Sequence, residues 1–263
     1  MQRLPMSRFR DQSFNRLIPN ILTMLALCAG MTSIRLGLIG HWDTALVAIA
    51  LAAVLDSLDG RIARLLGSSS KFGAELDSLS DVICFGVAPA LLLYLWSMRV
   101  ADGVGWAICL MFAVCCSLRL ARFNTKLENT DLPAWTGRFF VGVPAPAAAG
   151  LALTPMIASF AFGFDWVALP YVVGPVMVGV AALMVSRIPT FSFKRLRVPP
   201  RSVLPTMLGI GTLIVLVISI PWLTFLGIAG AYLISIPVSL FSYRRLARRR
   251  PLPEPVDATG ATH

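Results

Sequence analysis

Five of the 13 acidic residues in the chain, Asp56, Asp59, Glu75, Asp77 and Asp81, fall in one short stretch between apolar runs. On a helix, Asp56, Asp59, Gly60, Ala63 and Gly67 share a stripe at i, i+3, i+4, i+7 and i+11, and Gly73, Asp77 and Asp81 share another at i, i+4 and i+8. Each stripe sets carboxylates beside a surface nearly free of side chains. Facing carboxylates repel unless cations lie between them, and hard oxygen donors select magnesium, manganese or calcium. Glycine and alanine let a flat or phosphate-bearing ligand approach the backbone. Arg64, one turn beyond Gly60, offers a fork suited to phosphate oxygens. Carboxylates, cations and an arginine together fit phosphoryl transfer. Glu75 falls off the Asp77 and Asp81 face and reads as a solvated loop or helix-start residue. The simpler alternative pairs the carboxylates with Arg61, Arg64 and Lys71 at a membrane boundary; four aspartates on two matched faces argue against it.

The elements that must position this cluster follow from composition. Of 263 residues, 57% are hydrophobic and 14% charged, with a mean hydropathy of +0.76; a soluble domain carries roughly 25% charged residues. Apolar runs long enough to cross a hydrocarbon core recur at about 18–39, 43–66, 74–97, 103–123, 142–162, 167–187, 203–220 and 222–242. The expected fold is an all-α, polytopic membrane helix bundle with about eight transmembrane helices. The aspartates then lie at one end of the second and third spans. An aspartate at the centre of a membrane helix costs on the order of 3 kcal/mol on insertion scales, and less near the interface, so the cluster needs a compensating function.

Charge asymmetry orients the bundle. An even number of spans puts both ends on one side, and all the 23 basic residues except Arg35 and Arg99 fall in the loops and ends of that side. Both termini are therefore expected in the cytoplasm by the positive-inside rule. The division read from the chain is a basic N-terminal arm at 1–17, which could also lie on anionic headgroups, and a six-helix core at 18–187. A basic loop at 188–202, two additional helices at 203–242 and a basic, then disordered tail at 243–263 follow. The basic loop, with Arg187, Lys194, Arg195, Arg197 and Arg201, is explained by the same positive-inside bias.

Several function classes fall away. The basic residues are dispersed over five loops, so nucleic acid is not a partner. The N-terminus is polar and basic for its first sixteen residues, without a cleavage site after a short apolar core, so no cleavable signal peptide is expected. Five cysteines, Cys28, Cys84, Cys109, Cys115 and Cys116, lie in apolar segments without CxxC spacing and read as small core residues, neither disulfides nor zinc ligands. His41 and His263 sit in a short loop and at the tail end, which leaves acid–base chemistry to carboxylates. A cation path through the membrane is the remaining use of intramembrane aspartates.

Residues 56–81 read D-S-L-D-G-R-I-A-R, eight residues, then G-A-E-L-D-S-L-S-D. This matches without a gap the D-x-x-D-G-x-x-A-R-x8-G-x3-D-x3-D signature, and the chain thereby resembles the CDP-alcohol phosphotransferase family. The resemblance implies transfer of a phosphatidyl or related group from a CDP-linked donor to an alcohol, with release of CMP, in a membrane helix bundle that is usually a homodimer. It implies that Asp56, Asp59, Asp77 and Asp81 build a divalent-metal centre for Mg2+ or Mn2+, with Asp81 also the general base. Asn20, Asp59, Gly60, Ala63, Arg64 and Gly73 would hold the cytidine and diphosphate of the donor.

The signature does not name the acceptor. Flanking segments do more: Pro19 to Thr23, Ser117 to Asn124, and Phe140 to Pro146 resemble the bacterial and archaeal branch of the family that uses serine. That likeness implies CDP-diacylglycerol and L-serine as substrates, at a cytoplasm-facing site in a bacterial inner membrane, with glycerol 3-phosphate or inositol as alternative acceptors. Arg119 and Arg122, at i and i+3 on one helix face, are the candidates for an acceptor carboxylate or a donor phosphate, with Asn124 beside them. Ala26 stands where many relatives have an asparagine. No specific likeness is read for the two C-terminal spans.

Overall fold

A computed structural model describes residues 7–68, 70–127, 139–186, 188–191 and 203–249, with side chains over 17–68, 70–125, 142–186, 188 and 204–239. The basic-loop residues Arg187, Lys194, Arg195, Arg197 and Arg201 and the tail from 250 to 263 lie outside the described residues.

Ten α-helices are described: α1 Ser7–Leu38, α2 Trp42–Leu65, α3 Lys71–Asp81, α4 Ala88–Trp96, α5 Asp102–Leu127, α6 Ala145–Ala152, α7 Thr154–Phe162, α8 Pro170–Val185, α9 Val203–Ser219 and α10 Pro221–Arg249. A three-residue antiparallel pair, β1 Phe139–Val141 with β2 Pro189–Phe191, ties the entry of α6 to the exit of α8. Every apolar run read from the sequence falls on a helix or on consecutive helical pieces. Leu17–Leu38, Lys71–Trp96, Met98–Thr125 and Pro221–Ser239 are long and apolar enough to cross a membrane, and α6 with α7, bent by 44° at their junction, make a fifth candidate. At 16 and 17 residues, α8 and α9 are shorter. Helix α1 runs unbroken from Ser7, so most of the basic arm continues the first span as helix.

The bundle is apolar on both its inside and its outside. Phe85, Phe112, Leu92, Leu93, Met156 and Met177 are buried, while Ile21, Met24, Leu51, Leu118, Leu208 and Ile214 are exposed on helix faces. Exposed apolar faces of this extent suit a lipid solvent and would be a liability in water. All five cysteines are free thiols; Cys84, Cys109 and Cys116 are buried, Cys115 is half-buried, and Cys28 is exposed, which corrects its reading as a core residue.

Two local devices set the geometry of the aspartates. Helix α2 stops at Gly67, whose φ of +58° is the left-handed conformation that favours glycine. Its N–H donates to the Arg64 carbonyl at 3.3 Å and the Ser68 N–H to the Ala63 carbonyl at 3.0 Å, closing the last turn in a Schellman arrangement. Gly67 is thus a helix stop, and not the end of the small-residue stripe. Ser70 then caps α3 by accepting the Gly73 N–H at 3.0 Å.

The second device lies just beyond Asp81. Val82–Val87 is a π-helical turn between α3 and α4. The wider turn changes the face presented, so α3 shows its carboxylates toward α2 while α4 buries Ala88, Ala90, Leu92 and Leu93. Its packing is close: a Cβ on Gly30 would stand 2.6 Å from Cys84 Sγ, and one on Gly86 3.1 Å from Cys116 Cβ.

Candidate active site

Helix α1 packs along α2 and against α3, which brings the two aspartate stripes together beneath the Pro19 to Thr23 segment. One carboxylate oxygen from each of Asp56, Asp59 and Asp77 lies within 4.8 Å of the other two. Around a single magnesium ion at ~2.1 Å, oxygen ligands stand roughly 3 to 4 Å apart, so this donor set fits a hard divalent cation after a small closure. Asp81 lies outside that group, one turn along α3, with its carboxyl at hydrogen-bonding reach of Asp56. Its Oδ1 is buried and has no hydrogen-bond partner among the described residues. An orphaned oxygen there is a vacancy in polar bonding that a bound ion or substrate hydroxyl would fill.

Asp59 is the least exposed of the four, at 3%. Thr23 Oγ1 donates to Asp59 Oδ2 at 2.5 Å, with the Pro19 carbonyl 3.1 Å from the same hydroxyl. A charge-assisted hydrogen bond of this kind holds the carboxylate in one rotamer. Thr23 was not singled out by its chemistry. The available signal was its place at i+3 from Asn20, on the face of α1 that meets α2.

The six residues assigned to the donor, Asn20, Asp59, Gly60, Ala63, Arg64 and Gly73, all line one cavity of ≈ 290 Å³, together with Thr23, Ser68, Ser70 and Asp77. Gly60 has open space where a Cβ would sit, whereas a Cβ on Gly73 would stand 3.0 Å from Asn20 Oδ1 and 3.1 Å from Ser70 Oγ. Ser68 Oγ, buried, adds another polar atom without a partner among the described residues. Backbone close to the cavity, hydroxyls and one guanidinium make a lining suited to a sugar and phosphates. Glu75 is exposed on α3, away from this lining. Ala26 is 1% exposed and turned into the π-helical turn, where its carbonyl accepts from Cys84 Sγ at 3.3 Å; the position does not line the cavity.

The acceptor candidates separate. Arg119, on α5, is half-buried and lies close enough to Asp81 for its charge to act there; its Nε has no hydrogen-bond partner among the described residues. Arg122, one turn on, is exposed and donates from Nη1 to the Val185 carbonyl at the end of α8, 2.8 Å away. Asn124 Nδ2 donates to Ser78 Oγ at 2.9 Å and fastens α5 to α3. The two arginines, at i and i+3 on α5, therefore meet different partners, Asp81 on α3 and the Val185 carbonyl at the end of α8. The Gly142 to Pro146 segment is likewise structural. Gly142 has φ +79°, donates to the Ile188 carbonyl at 2.9 Å, and a Cβ there would stand 2.5 Å from the Met184 carbonyl.

The comparison with known sequences rests on the same residues. Residues 16–186 match the family profile described as CDP-alcohol phosphatidyltransferase. This protein belongs to the CDP-alcohol phosphatidyltransferase family. A second profile, described as CDP-alcohol phosphatidyltransferase 2, matches residues 201–237, which corrects the reading that the two C-terminal helices have no specific likeness. Nothing in residues 201–237 carries a chemical motif, so only comparison with relatives could reveal it. A protein of Mycobacterium leprae named CDP-diacylglycerol--serine O-phosphatidyltransferase is 39% identical over 232 residues, 88% of this chain and 77% of that protein. Proteins of the same name from Helicobacter pylori and Bacillus subtilis are 36% and 33% identical over 69% and 68% of this chain, and 74% and 92% of their own lengths. Membership of a transferase family replaces the cation-path reading of the aspartates.

Proposed function

We propose that this protein transfers a phosphatidyl group from CDP-diacylglycerol to L-serine, giving phosphatidylserine and CMP. The observation that carries the chemistry is the junction of the Asp56, Asp59 and Asp77 oxygens with a polar cavity lined by Asn20, Gly60, Ala63, Arg64 and Gly73. Serine as acceptor is supported by the names of relatives that span most of the chain.

In this reading the cavity holds the cytidine and diphosphate of the donor, with Arg64 on phosphate oxygens. Asp56, Asp59, Asp77 and Asp81 hold Mg2+ or Mn2+. A cation held there would offset the charge of the diphosphate and of the departing CMP. Asp81 Oδ1 accepts the proton of the serine hydroxyl as that oxygen bonds to the phosphatidyl phosphorus and the bond to CMP breaks. Arg119, next to Asp81, holds the serine carboxylate, while Arg122 and Asn124 keep α5 in place behind it. No dedicated nucleophile is evident, so attack is direct.

The same reading places eight spans in a bacterial inner membrane, with both termini and the active site on the cytoplasmic face, as the distribution of Lys and Arg favours. It keeps the division into arm, six-helix core at 18–187, basic loop, two additional helices and tail, and takes the working form as a homodimer.

Purified protein with CDP-diacylglycerol and magnesium should release CMP when serine is added, and release little with glycerol 3-phosphate or inositol. A chelator should stop the release, and Mg2+ or Mn2+ restore it. Cation conduction without CMP release from any of the acceptors would overturn the proposal.

A further inference from the structure

A second cavity, of ≈ 300 Å³, lies against the N-terminal half of α2, ahead of the Asp59 cavity along the helix, and nearly all of its lining is apolar. Leu46, Ile49, Ala50 and Ala53 form its α2 wall, at i, i+3, i+4 and i+7. Asp56 follows three residues after Ala53. Helices α6 and α7 supply Ala147, Gly150 and Ile157, and α10 closes the side with Trp222, Phe225, Ala229 and Tyr232. Two apolar turns followed, within one further turn of the same helix, by a carboxylate of the active centre match one kind of molecule, an amphiphile whose charged head is in that centre.

We propose that this cavity seats one acyl chain of the lipid donor, and that α10 is the wall that sets which chain lengths fit. The proposal rests on the transferase reading above and adds a task for the C-terminal helix. Three observations support this occupant over a second protein chain or simple helix packing. First, ≈ 300 Å³ is room for roughly ten methylene groups at close packing, a slender volume for a side-chain cluster from a partner.

Second, Gly150 sits in the interior of α6, where glycine is a poor helix former, and a Cβ there would meet nothing within 4 Å. Its missing side chain is not required by any described neighbour; it widens the cavity. Third, the hydroxyl of Tyr232 on the α10 wall is buried near Arg119, and Arg119 in turn acts on Asp81. The Tyr232 wall of the cavity is therefore within electrostatic reach of the reacting centre. The tail of the donor enters between α2 and α10 as its head enters beneath α1.

The test compares donors with long and short acyl chains. CDP-dioleoylglycerol and CDP-dihexanoylglycerol are given separately, with serine, to the unaltered protein and to Gly150→Leu, Gly150→Ala and Trp222→Ala. Gly150→Leu should lower the ratio of kcat/KM for the long donor over the short by about tenfold, the effect of two methylenes kept from apolar contact, and Gly150→Ala by less. Trp222→Ala, which opens the wall, should move the chain-length optimum upward.

A donor with a diazirine near the end of one acyl chain serves as a readout independent of turnover, and should label α6 or α10 segments. Ratios unchanged in variants that elute and melt like the unaltered protein, or labelling confined to α9, would overturn the proposal. Absence of CMP release from the unaltered protein with both donors would overturn the transferase reading itself, and the occupant with it.

Discussion

Helix α2 walls two cavities of nearly equal size, ≈ 290 and ≈ 300 Å³, with opposite chemistry. One, under α1, is bounded by Asp59, Gly60, Ala63 and Arg64; the other, toward α6 and α10, by Leu46, Ile49, Ala50 and Ala53. Asp56 lies between the two sets. The polar cavity is held by specific bonds, Thr23 to Asp59 and Ser70 to the Gly73 N–H. The apolar one is held by shape alone. Directional bonds make the first intolerant of single-atom changes, because a lost partner leaves a buried polar group unpaired. Dispersion contacts are many and individually weak, so the second should respond in small, graded steps.

The largest effect is expected at the centre of the polar side. Asp81→Asn should lower kcat by about 10²- to 10⁴-fold while CDP binding, followed by calorimetry, stays near that of the unaltered protein; normal turnover would remove Asp81 as the base. Next comes Thr23→Val, which keeps the shape and deletes the bond to Asp59. A hydrogen bond to a charged group contributes about 1.5–3 kcal/mol, so kcat/KM should fall by roughly ten- to a hundredfold, with a higher metal concentration needed for half-activity.

Gly73→Ala sharpens the comparison in a different way. The added methyl crowds Asn20 Oδ1 and Ser70 Oγ, and overpacking of this kind costs about 1–3 kcal/mol, to be read as a raised KM for the donor with the KM for serine unchanged. The smallest effects separate the two arginines. Arg119→Ala should raise the serine KM, whereas Arg122→Ala, losing only the bond to the Val185 carbonyl, should lower Tm by about 2–4 °C and leave the serine KM alone. The opposite pattern would return Arg122 to the acceptor site.

Much of this molecule was legible before folding was considered. The eight apolar runs all coincide with helical segments, since spacing and hydropathy are local properties that the helix period reads directly. The aspartates stood out because burying charge in an apolar chain is costly wherever the helices go. The π-helical turn after Asp81 was not legible: within Val82–Val87 a single glycine, Gly86, does not distinguish a wider turn from ordinary helix, and the winding answers to packing of Gly30 on Cys84 and Cys116 on Gly86. Gly67 was read as part of a ligand-facing stripe, although glycine at a helix end serves a cap just as well, and only its φ distinguishes the two.

What the amino-acid sequence determined by itself is therefore the helical, lipid-facing character of the chain and the identity of the residues dense in charge. Tertiary structure decided which of them meet. Arg119 and Arg122 are equivalent by spacing, yet one lies near Asp81 on α3 and the other bonds to the end of α8, a difference set by which helix end each reaches in the bundle. The apolar cavity is a stronger case. An apolar helix face looks the same in sequence whether it meets lipid, another helix or a bound acyl chain, so the place of α10 against α6 and α7 had to be set by packing across the whole chain.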